Sequence, residues 1–463
     1  MAIRPPAATQ EEQPTGEYCR RDERSSALGT TRTDPLAEAE VVAGHGAATT
    51  VEYQPRSAPP GRGLAALRSR DFRLFWSGQV ISLIGTWMQI VAQSWLVLEL
   101  TDSAFLLGVL TAVQFLPILV LSILGGVIAD RAPRRSLLLG TQVAGLLLAL
   151  ALGLLTQTGL VRLEYVIALA LLLGLVNAVD MPTRQALVVE LVDAQNLRNA
   201  IALNSVAFNS ARLVGPAAAG LAIGYLGLAG AFYINGASFL AAIAGLLAIR
   251  AGRVPASRGV EPTCVWDDLR EGLAYVARTP QVRLIVLLVG LVGTFGMNLA
   301  VLVPVLARQV FGLGAEGFGF LIAGVGVGSL LAAILLATLS PAPRPRLLLG
   351  SAAGLGLAQV LMVGVGQPTP ALILLGAAGF ALIVLTTLSN AALQIATPDA
   401  LRGRVMAVYT TVFAGTTPIG GLLVGALAQA RGVRIAFFLA GFVSLVSTLA
   451  VYYIGRRHRG VDG

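Results

Sequence analysis

The sequence contains about twelve apolar runs of roughly 20 residues or more, and short polar segments separate them. Because the hydrocarbon core of a bilayer is about 30 Å thick, a helix needs roughly 20 apolar residues to cross it. The mean hydropathy of +0.77 and the 12% share of charged residues lie well outside the range of soluble domains. We therefore predict an all-α integral membrane protein with about twelve transmembrane helices.

The predicted spans fall into two groups of six, joined by a polar segment. The spans are at about 72–99, 104–129, 136–157, 163–181, 199–224, 229–250, 283–307, 315–339, 346–366, 370–395, 403–429 and 433–455. We predict two pseudo-symmetric six-helix bundles, at 64–250 and 283–457. Three polar segments flank and join them: a disordered N-terminal tail at 1–63, a linker with an amphipathic helix at 251–282 and a C-terminal tail at 458–463. The linker helix suits either the membrane surface or a solvated connection.

All 33 basic residues are arginine, and the sequence has no lysine. If the N-terminus is cytoplasmic, 28 arginines lie in cytoplasmic segments, four lie on the opposite face, and Arg212 lies within a span. This bias follows the positive-inside rule. We therefore expect both termini and the linker to be cytoplasmic, with the net charge of +9 facing anionic lipid rather than nucleic acid.

The composition excludes several kinds of chemistry. A Walker-A nucleotide site and a Schiff base both need a lysine, which the chain lacks. The two histidines, His45 and His458, lie in the tails, and Cys19 and Cys264 are far apart in polar segments. We therefore expect no metal site, no cofactor, no disulfide framework and no enzymatic activity.

The stretch "LGGVIADRAPRRSLLLG", at 124–140, concentrates charge between two apolar runs. Positive-inside anchoring explains its arginines, but it does not explain Asp130, because a carboxylate is unfavourable at the C-terminal end of a helix. A weak repeat, "NLRNAIALNS" and "ALRGRVMAVYT" at an offset of about 204 residues, relates the two halves. Such repeats place a binding site between the halves, near the membrane midplane.

The segment "GVIADRAPRR" resembles the conserved loop of the major facilitator superfamily. The matching residues are Gly126, Asp130, Arg131, Arg134 and Arg135, and Pro133 stands where the family usually has glycine. The resemblance, which covers about 68–457, implies that Asp130 latches the two halves together in the outward-facing state. The second-half copy has Ser340 in place of Asp130, so only the first latch is complete.

A finer resemblance links the chain to the enterobactin-exporter-like branch, the transmembrane secretion effectors. It is carried by "SRDFRLFWSGQVISLIGTWMQIVAQSWLVLELT" at 69–101 and by the segment 180–220. Within the latter, "ARLVGPAAAG" resembles the antiporter motif of helix 5, with Arg212, Gly215, Pro216 and Gly220 matching. That motif is associated with efflux, although a kink and close helix packing also explain its glycines and proline.

Polar residues within the spans are candidates for a cavity lining. They are Gln89, Gln93, Asn209, Arg212, Asn298, Asn390, Gln394 and Tyr409. Gln89 and Gln93 share one helix face, as do Asn390 and Gln394, and each of these residues could instead join two helices. A charge at the depth of Arg212 costs about 2.5–3.5 kcal/mol, so it should face protein or water.

The resemblance implies a secondary-active exporter of a drug-like or siderophore-like molecule that works by alternating access in the bacterial cytoplasmic membrane. The alternative is an importer of a small metabolite on the same fold. Proton antiport is implied by the family alone, and Asp180 and Glu99 are the candidate coupling carboxylates. We expect the partners to be a small-molecule substrate, the lipid bilayer and a coupling ion, and we expect a monomer.

Overall fold

The structure is a computed structural model, and it describes residues 65–193, 195–249, 265–339 and 343–459. These residues form helices and short helical turns, and no strand occurs among them. The predicted disordered tail at 1–63 lies outside the described residues. The first half of the predicted linker and the last residues of the C-terminal tail also lie outside them.

Five helices build the first bundle. They are α1 (Arg70–Thr101), α2 (Ala104–Arg131), α3 (Arg134–Gln157), α4 (Leu163–Leu191) and α5 (Leu197–Ala248). The 52 residues of α5 would extend about 78 Å as one straight helix, more than twice the thickness of the hydrocarbon core. The helix is interrupted at Gly227, whose φ of 71° and ψ of 177° belong to a region that only glycine adopts readily. Its two arms, 197–226 and 228–248, therefore supply two crossings.

The second bundle follows a short linker helix. Its helices are α6 (Val265–Arg278) in the linker, then α7 (Pro280–Gly296), α8 (Leu299–Val305), α9 (Ala315–Leu339), α10 (Pro345–Leu361), α11 (Pro368–Ala396), α12 (Asp399–Arg431) and α13 (Val433–Arg459). The helices α7 and α8 form one crossing with a break at Met297 and Asn298. In the described part of the chain, 11 segments are long and apolar enough to cross a membrane. With two crossings in α5, the prediction of about twelve spans is confirmed.

One helix extends beyond its predicted span. The apolar run of α4 was predicted to end at about 181, whereas α4 continues to Leu191. Asp180 and Arg184, one turn apart, form an ion pair inside the helix. Because the two charges neutralise each other, they do not end the helix, and the apolar stretch beyond them stays helical.

Small residues let helices pack closely within each bundle. The carbonyl oxygen of Ala241 on α5 lies 2.6 Å from the position that a Cβ on Gly78 of α1 would occupy, and that of Val325 on α9 lies 2.1 Å from the Cβ position of Gly379 on α11. The two bundles meet where α2 contacts α12 and where α5 contacts α9. We call the end at which α1 begins and α13 ends the linker end, and the opposite end the far end.

Candidate functional site

The bundles are closed against each other at the far end by contacts between small residues. The carbonyl oxygen of Gly421 on α12 lies 2.3 Å from the position that a Cβ on Gly108 of α2 would occupy. On the other helix pair, a Cβ on Gly319 of α9 would lie 2.7 Å from Cα of Gly220 and 3.0 Å from the carbonyl oxygen of Pro216. The helix backbones touch at these positions, so no larger side chain fits without moving a helix.

Charged and aromatic side chains join the bundles at the same end. Nε of Arg308, in the turn after α8, lies 3.1 Å from Oδ1 of Asp102, in the turn between α1 and α2. The ring of Trp95 on α1 stacks on Phe318 of α9, with centroids 5.9 Å apart. Both members of the ion pair are solvent-accessible, so it contributes little stability and mainly fixes how the two bundles meet.

At the linker end the same helices separate and leave a cleft. Among the described residues, Gly126 on α2 and Gly403 on α12 have no heavy atom within 4 Å of an added Cβ. Because the contacts between the bundles described above lie in the far half, the cleft narrows from the linker end towards the closed far end.

One wall of the cleft carries Arg212, halfway along the first arm of α5. Arg212 is 15 residues from the start of α5 and 15 from Gly227, which corresponds to about 22 Å from each. Pro216 and Gly220 contact α9 at the far end, and residues three or four apart share a helix face. Arg212 therefore continues that face into the open part of the cleft.

The guanidinium of Arg212 lies against an aromatic pair. Its Cζ is 5.8 Å from the centroid of the Trp87 ring on α1, and Trp87 meets Phe208 edge-on with centroids 5.7 Å apart. Arg212 is partly exposed. Within the described ranges, the ion pairs of the structure do not include Arg212.

The second bundle contributes a wall of neutral polar and aromatic side chains. A cavity of about 560 Å³ between α11 and α12 is lined by Thr386, Thr387, Asn390, Ala391, Gln394, Tyr409, Thr410 and Phe413. Nε2 of Gln394 donates a hydrogen bond of 2.6 Å to Oδ1 of Asn390, and Tyr409 stacks on Phe413 with centroids 6.1 Å apart. The structure thus brings three of the residues singled out from the sequence, Asn390, Gln394 and Tyr409, to one cavity.

Gln89 and Gln93 lie inside the first bundle rather than on the cleft. Both are buried, and Oε1 of Gln89 accepts a hydrogen bond from Nδ2 of Asn235 on α5. Oε1 of Gln93 accepts a hydrogen bond of 3.0 Å from Gln114 on α2, and its Nε2 donates to the carbonyl of Val166 on α4. The helix face that Gln89 and Gln93 share points into the bundle, where both residues join helices. The expectation that they line the cavity therefore does not match this structure.

The other candidates divide between joining helices and lying at helix ends. Nδ2 of Asn298 donates to the carbonyl oxygens of Thr294, at 2.8 Å, and of Thr416, at 3.4 Å, so this buried residue links α7 to α12 rather than facing a cavity. Asn209 lies on the first arm of α5, and its side chain lies outside the described part. Glu99 is exposed near the far end of α1.

The arginines of the loop at 124–140 bind their own bundle. Arg134 pairs with Glu190 on α4. Nε and NH2 of Arg135 donate to the carbonyl oxygens of Leu246, at 2.7 Å, and Leu247, at 2.9 Å, at the end of α5. Arg135 thereby satisfies carbonyl groups that have no partner within the helix. Glu190 was missed in the sequence, because no spacing pattern connects it to a loop about 55 residues earlier.

Asp130 and Arg131 occupy the last turn of α2. The side chain of Asp130 lies outside the described part, and Arg131 is exposed. At the antiporter motif, a Cβ on Gly215 would lie 2.5 Å from Cβ of Trp87, while Pro216 and Gly220 lie at the contact with α9. Close packing therefore accounts for Gly215, Pro216 and Gly220, but it does not account for Arg212.

Asp180 is the centre of a polar cluster inside the first bundle. Its Oδ1 accepts hydrogen bonds of 2.8 Å from Oγ1 of Thr141 and 2.8 Å from Nε2 of Gln142, both on α3, and its Oδ2 pairs with Arg184. Asp180 is 2% exposed, and it is the one buried carboxylate among the side chains that the structure describes. Asp180 was singled out from the sequence, whereas its partners Thr141, Gln142 and Arg184 were not recognised.

The described half of the linker contacts the second bundle. A Cβ on Gly272 of α6 would lie 2.7 Å from the carbonyl oxygen of Arg404, and Glu271 pairs with Arg404. The hydroxyl of Tyr275 donates to the carbonyl of Ala396 at 3.4 Å. The helix α6 is therefore packed on the linker ends of α11 and α12, which neither sequence alternative for the linker specified.

Several known proteins are similar in sequence to this chain over most of its length. The staphyloferrin A transporter of Staphylococcus aureus is 25% identical over 397 residues, which cover 83% of this chain and 96% of the relative. The multidrug efflux pump Tap of Mycolicibacterium fortuitum is 27% identical, with 80% and 92% covered, and the enterobactin exporter EntS of Shigella boydii is 27% identical, with 77% and 85% covered.

A solved structure agrees on the fold. A bacterial homologue of the human lysosomal transporter Spinster superimposes with a TM-score of 0.67 at 15% identity, covering 87% of this chain and 98% of that one. A sequence model of the family described as transmembrane secretion effectors matches residues 61–459. Because that match spans the whole helical part, the chain belongs to the transmembrane secretion effector family of major facilitator transporters.

Proposed function

We propose that this transporter exports a drug-like or siderophore-like small molecule across the bacterial cytoplasmic membrane by alternating access. The observation that carries the proposal is the cleft, which is open at the linker end and closed at the far end by backbone contacts. Contacts between small residues separate without breaking a core, so two bundles can rock about a site between them. The names of two relatives, an efflux pump and an exporter, favour export over import.

The orientation of the cleft decides which side loads the cargo. We propose that the linker and both termini are cytoplasmic, so that the open end faces the cytoplasm. The native Cys19 and Cys264 are replaced by serine, and a single cysteine is placed at Pro262. We expect a membrane-impermeant maleimide to label this cysteine only in permeabilised cells. A cysteine at Gly159, in the turn after α3, is the control and should react in intact cells; the reverse pattern contradicts the orientation.

We further propose proton antiport by a monomer, with Asp180 as the coupling carboxylate. Asp180 is buried between apolar helices and pairs with Arg184. A proton gained or lost by Asp180 there therefore changes the interactions of Arg184 more than it would at an exposed position. Glu99 is the second candidate, and its exposed position near the far end offers no partner that protonation would release. Asp130 is proposed as the latch of the outward-facing state, as the family resemblance implies.

The function is tested by comparing culture supernatants and cell extracts of the wild-type and deletion strains by metabolomics. Export predicts a compound that accumulates in deletion cells and is missing from their supernatant. An importer gives the opposite pattern. The compound is then assayed in proteoliposomes with an imposed pH gradient, and binding without flux in that assay would contradict transport altogether.

A further inference from the structure

We infer that Arg212, Trp87 and Phe208 form a binding site for an aromatic organic anion. We call these three residues the Arg212 site. The inference deepens the proposed function, because it assigns the cargo of the exporter to this chemical class. It does not depend on the direction of transport, since binding needs no gradient.

The charge of Arg212 points to an anion. Arg184, inside α4, is matched by Asp180, and Arg308 at the far end is matched by Asp102. In the part of the chain that the structure describes, Arg212 has no such carboxylate and lies half-way along the first arm of α5, on the face that continues into the open cleft. A cation held at this depth without a protein counter-charge is balanced best by a ligand that carries the negative charge.

The surroundings of Arg212 point to an aromatic ligand. Its guanidinium lies over the Trp87 ring, and Phe208 meets Trp87 edge-on while remaining exposed itself. A contact with a ring face uses none of the guanidinium N–H groups, and these can bind a carboxylate or a similar oxyanion through two parallel hydrogen bonds. A flat aromatic body beside the oxyanion can then stack on the exposed ring of Phe208.

The wall contributed by the second bundle agrees with this assignment. It offers the stacked rings of Tyr409 and Phe413 and the neutral groups of Thr386, Asn390 and Gln394. Its lining contains no carboxylate, so it provides no counter-charge for Arg212 or for a cationic drug. Hydroxyl and amide groups can donate hydrogen bonds both to an oxyanion and to phenolic oxygens.

The test measures binding by isothermal titration calorimetry with the full-length protein in lipid nanodiscs. The probes are 2-naphthoate, its uncharged isostere 2-naphthamide and the cation 2-naphthylmethylammonium. We expect naphthoate to bind at least tenfold more tightly than naphthamide. Arg212→Gln should bring that ratio close to one, Arg212→Lys should keep part of it, and Trp87→Leu should weaken both ligands.

Arg434→Gln is the matched control, because Arg434 donates to the carbonyl of Val365 near the far end, outside the cleft. Arg434→Gln removes one positive charge, as Arg212→Gln does, and should leave the ratio of naphthoate to naphthamide affinity unchanged. The inference is overturned by equal binding of naphthoate and naphthamide to the wild type, by tightest binding of the ammonium, by no saturable naphthoate binding, or by an unchanged ratio in Arg212→Gln. The wild-type measurements decide even if Arg212→Gln does not fold. Anion binding without any export flux would refute the proposed function and leave the site standing.

Discussion

Replacing Gly108 by valine will hold the far end open and lower export about fivefold or more. A Cβ at this position would lie 2.3 Å from the carbonyl oxygen of Gly421, so α2 and α12 must move apart to accept it. Overpacking of this kind costs about 1–3 kcal/mol. At 1.4 kcal/mol per factor of ten, the population closed at the far end falls roughly 5- to 150-fold relative to the open one. The state that loads cargo from the linker end becomes rare.

The conformational change is measured separately from transport. Spin labels on cysteines at Ser103 and Arg431, in a variant whose native cysteines are replaced by serine, report the far-end separation by double electron–electron resonance. Gly140→Val is the matched control, because a Cβ there meets no heavy atom within 4 Å. We expect a longer distance and lost export in Gly108→Val, and wild-type values in Gly140→Val. Normal export with an unchanged distance would show that the Gly108 contact has no part in closure.

The helical architecture was predictable because membrane spans are set by length and hydropathy alone. The predicted gap at 225–228 contains Gly227, where α5 is interrupted, since a glycine-rich stretch between apolar runs is a local signal. The break at Met297 and Asn298 was not predicted, because the apolar run continues through it. At the break the Asn298 amide donates to the carbonyl of Thr294, one turn earlier, at 2.8 Å and to that of Thr416 on α12 at 3.4 Å, so a local bond and a tertiary bond both hold it.

The site was predictable only in part, because a polar residue in a span looks the same whether it faces a cavity or another helix. Gln89 and Gln93 share one spacing with Asn390 and Gln394, yet the first pair bonds inside a bundle and the second lines a cavity. Whether such a residue lines a cavity or joins two helices depends on its hydrogen-bond partner, and a partner such as Asn235 lies more than 100 residues away. Arg212 was identifiable because its burial cost is high wherever it points.

Asp180→Asn is expected to destabilise the protein strongly and to stop the proposed proton-driven export. Removal of one partner of a buried ion pair leaves the other charge uncompensated, which costs about 3–5 kcal/mol. Arg184 would be that charge, because its side chain is 18% exposed and pairs with Asp180. We expect a lower midpoint of thermal unfolding in detergent, together with loss of cargo accumulation against a gradient.

A second variant separates the structural role of Asp180 from its coupling role. Asp180→Asn combined with Arg184→Gln leaves no unpaired charge, and Thr141 and Gln142 can still donate to the new amide oxygen, so the unfolding midpoint should return to near the wild-type value. If Asp180 couples proton movement to transport, the double variant still exchanges cargo across the membrane when the cargo concentrations on the two sides are equal. It no longer accumulates cargo when a pH gradient is imposed. Glu164→Gln is the matched control, because it neutralises an exposed carboxylate in the first turn of α4 and should change neither property. Gradient-driven accumulation by the stable double variant would assign the whole cluster to folding and leave coupling to another residue.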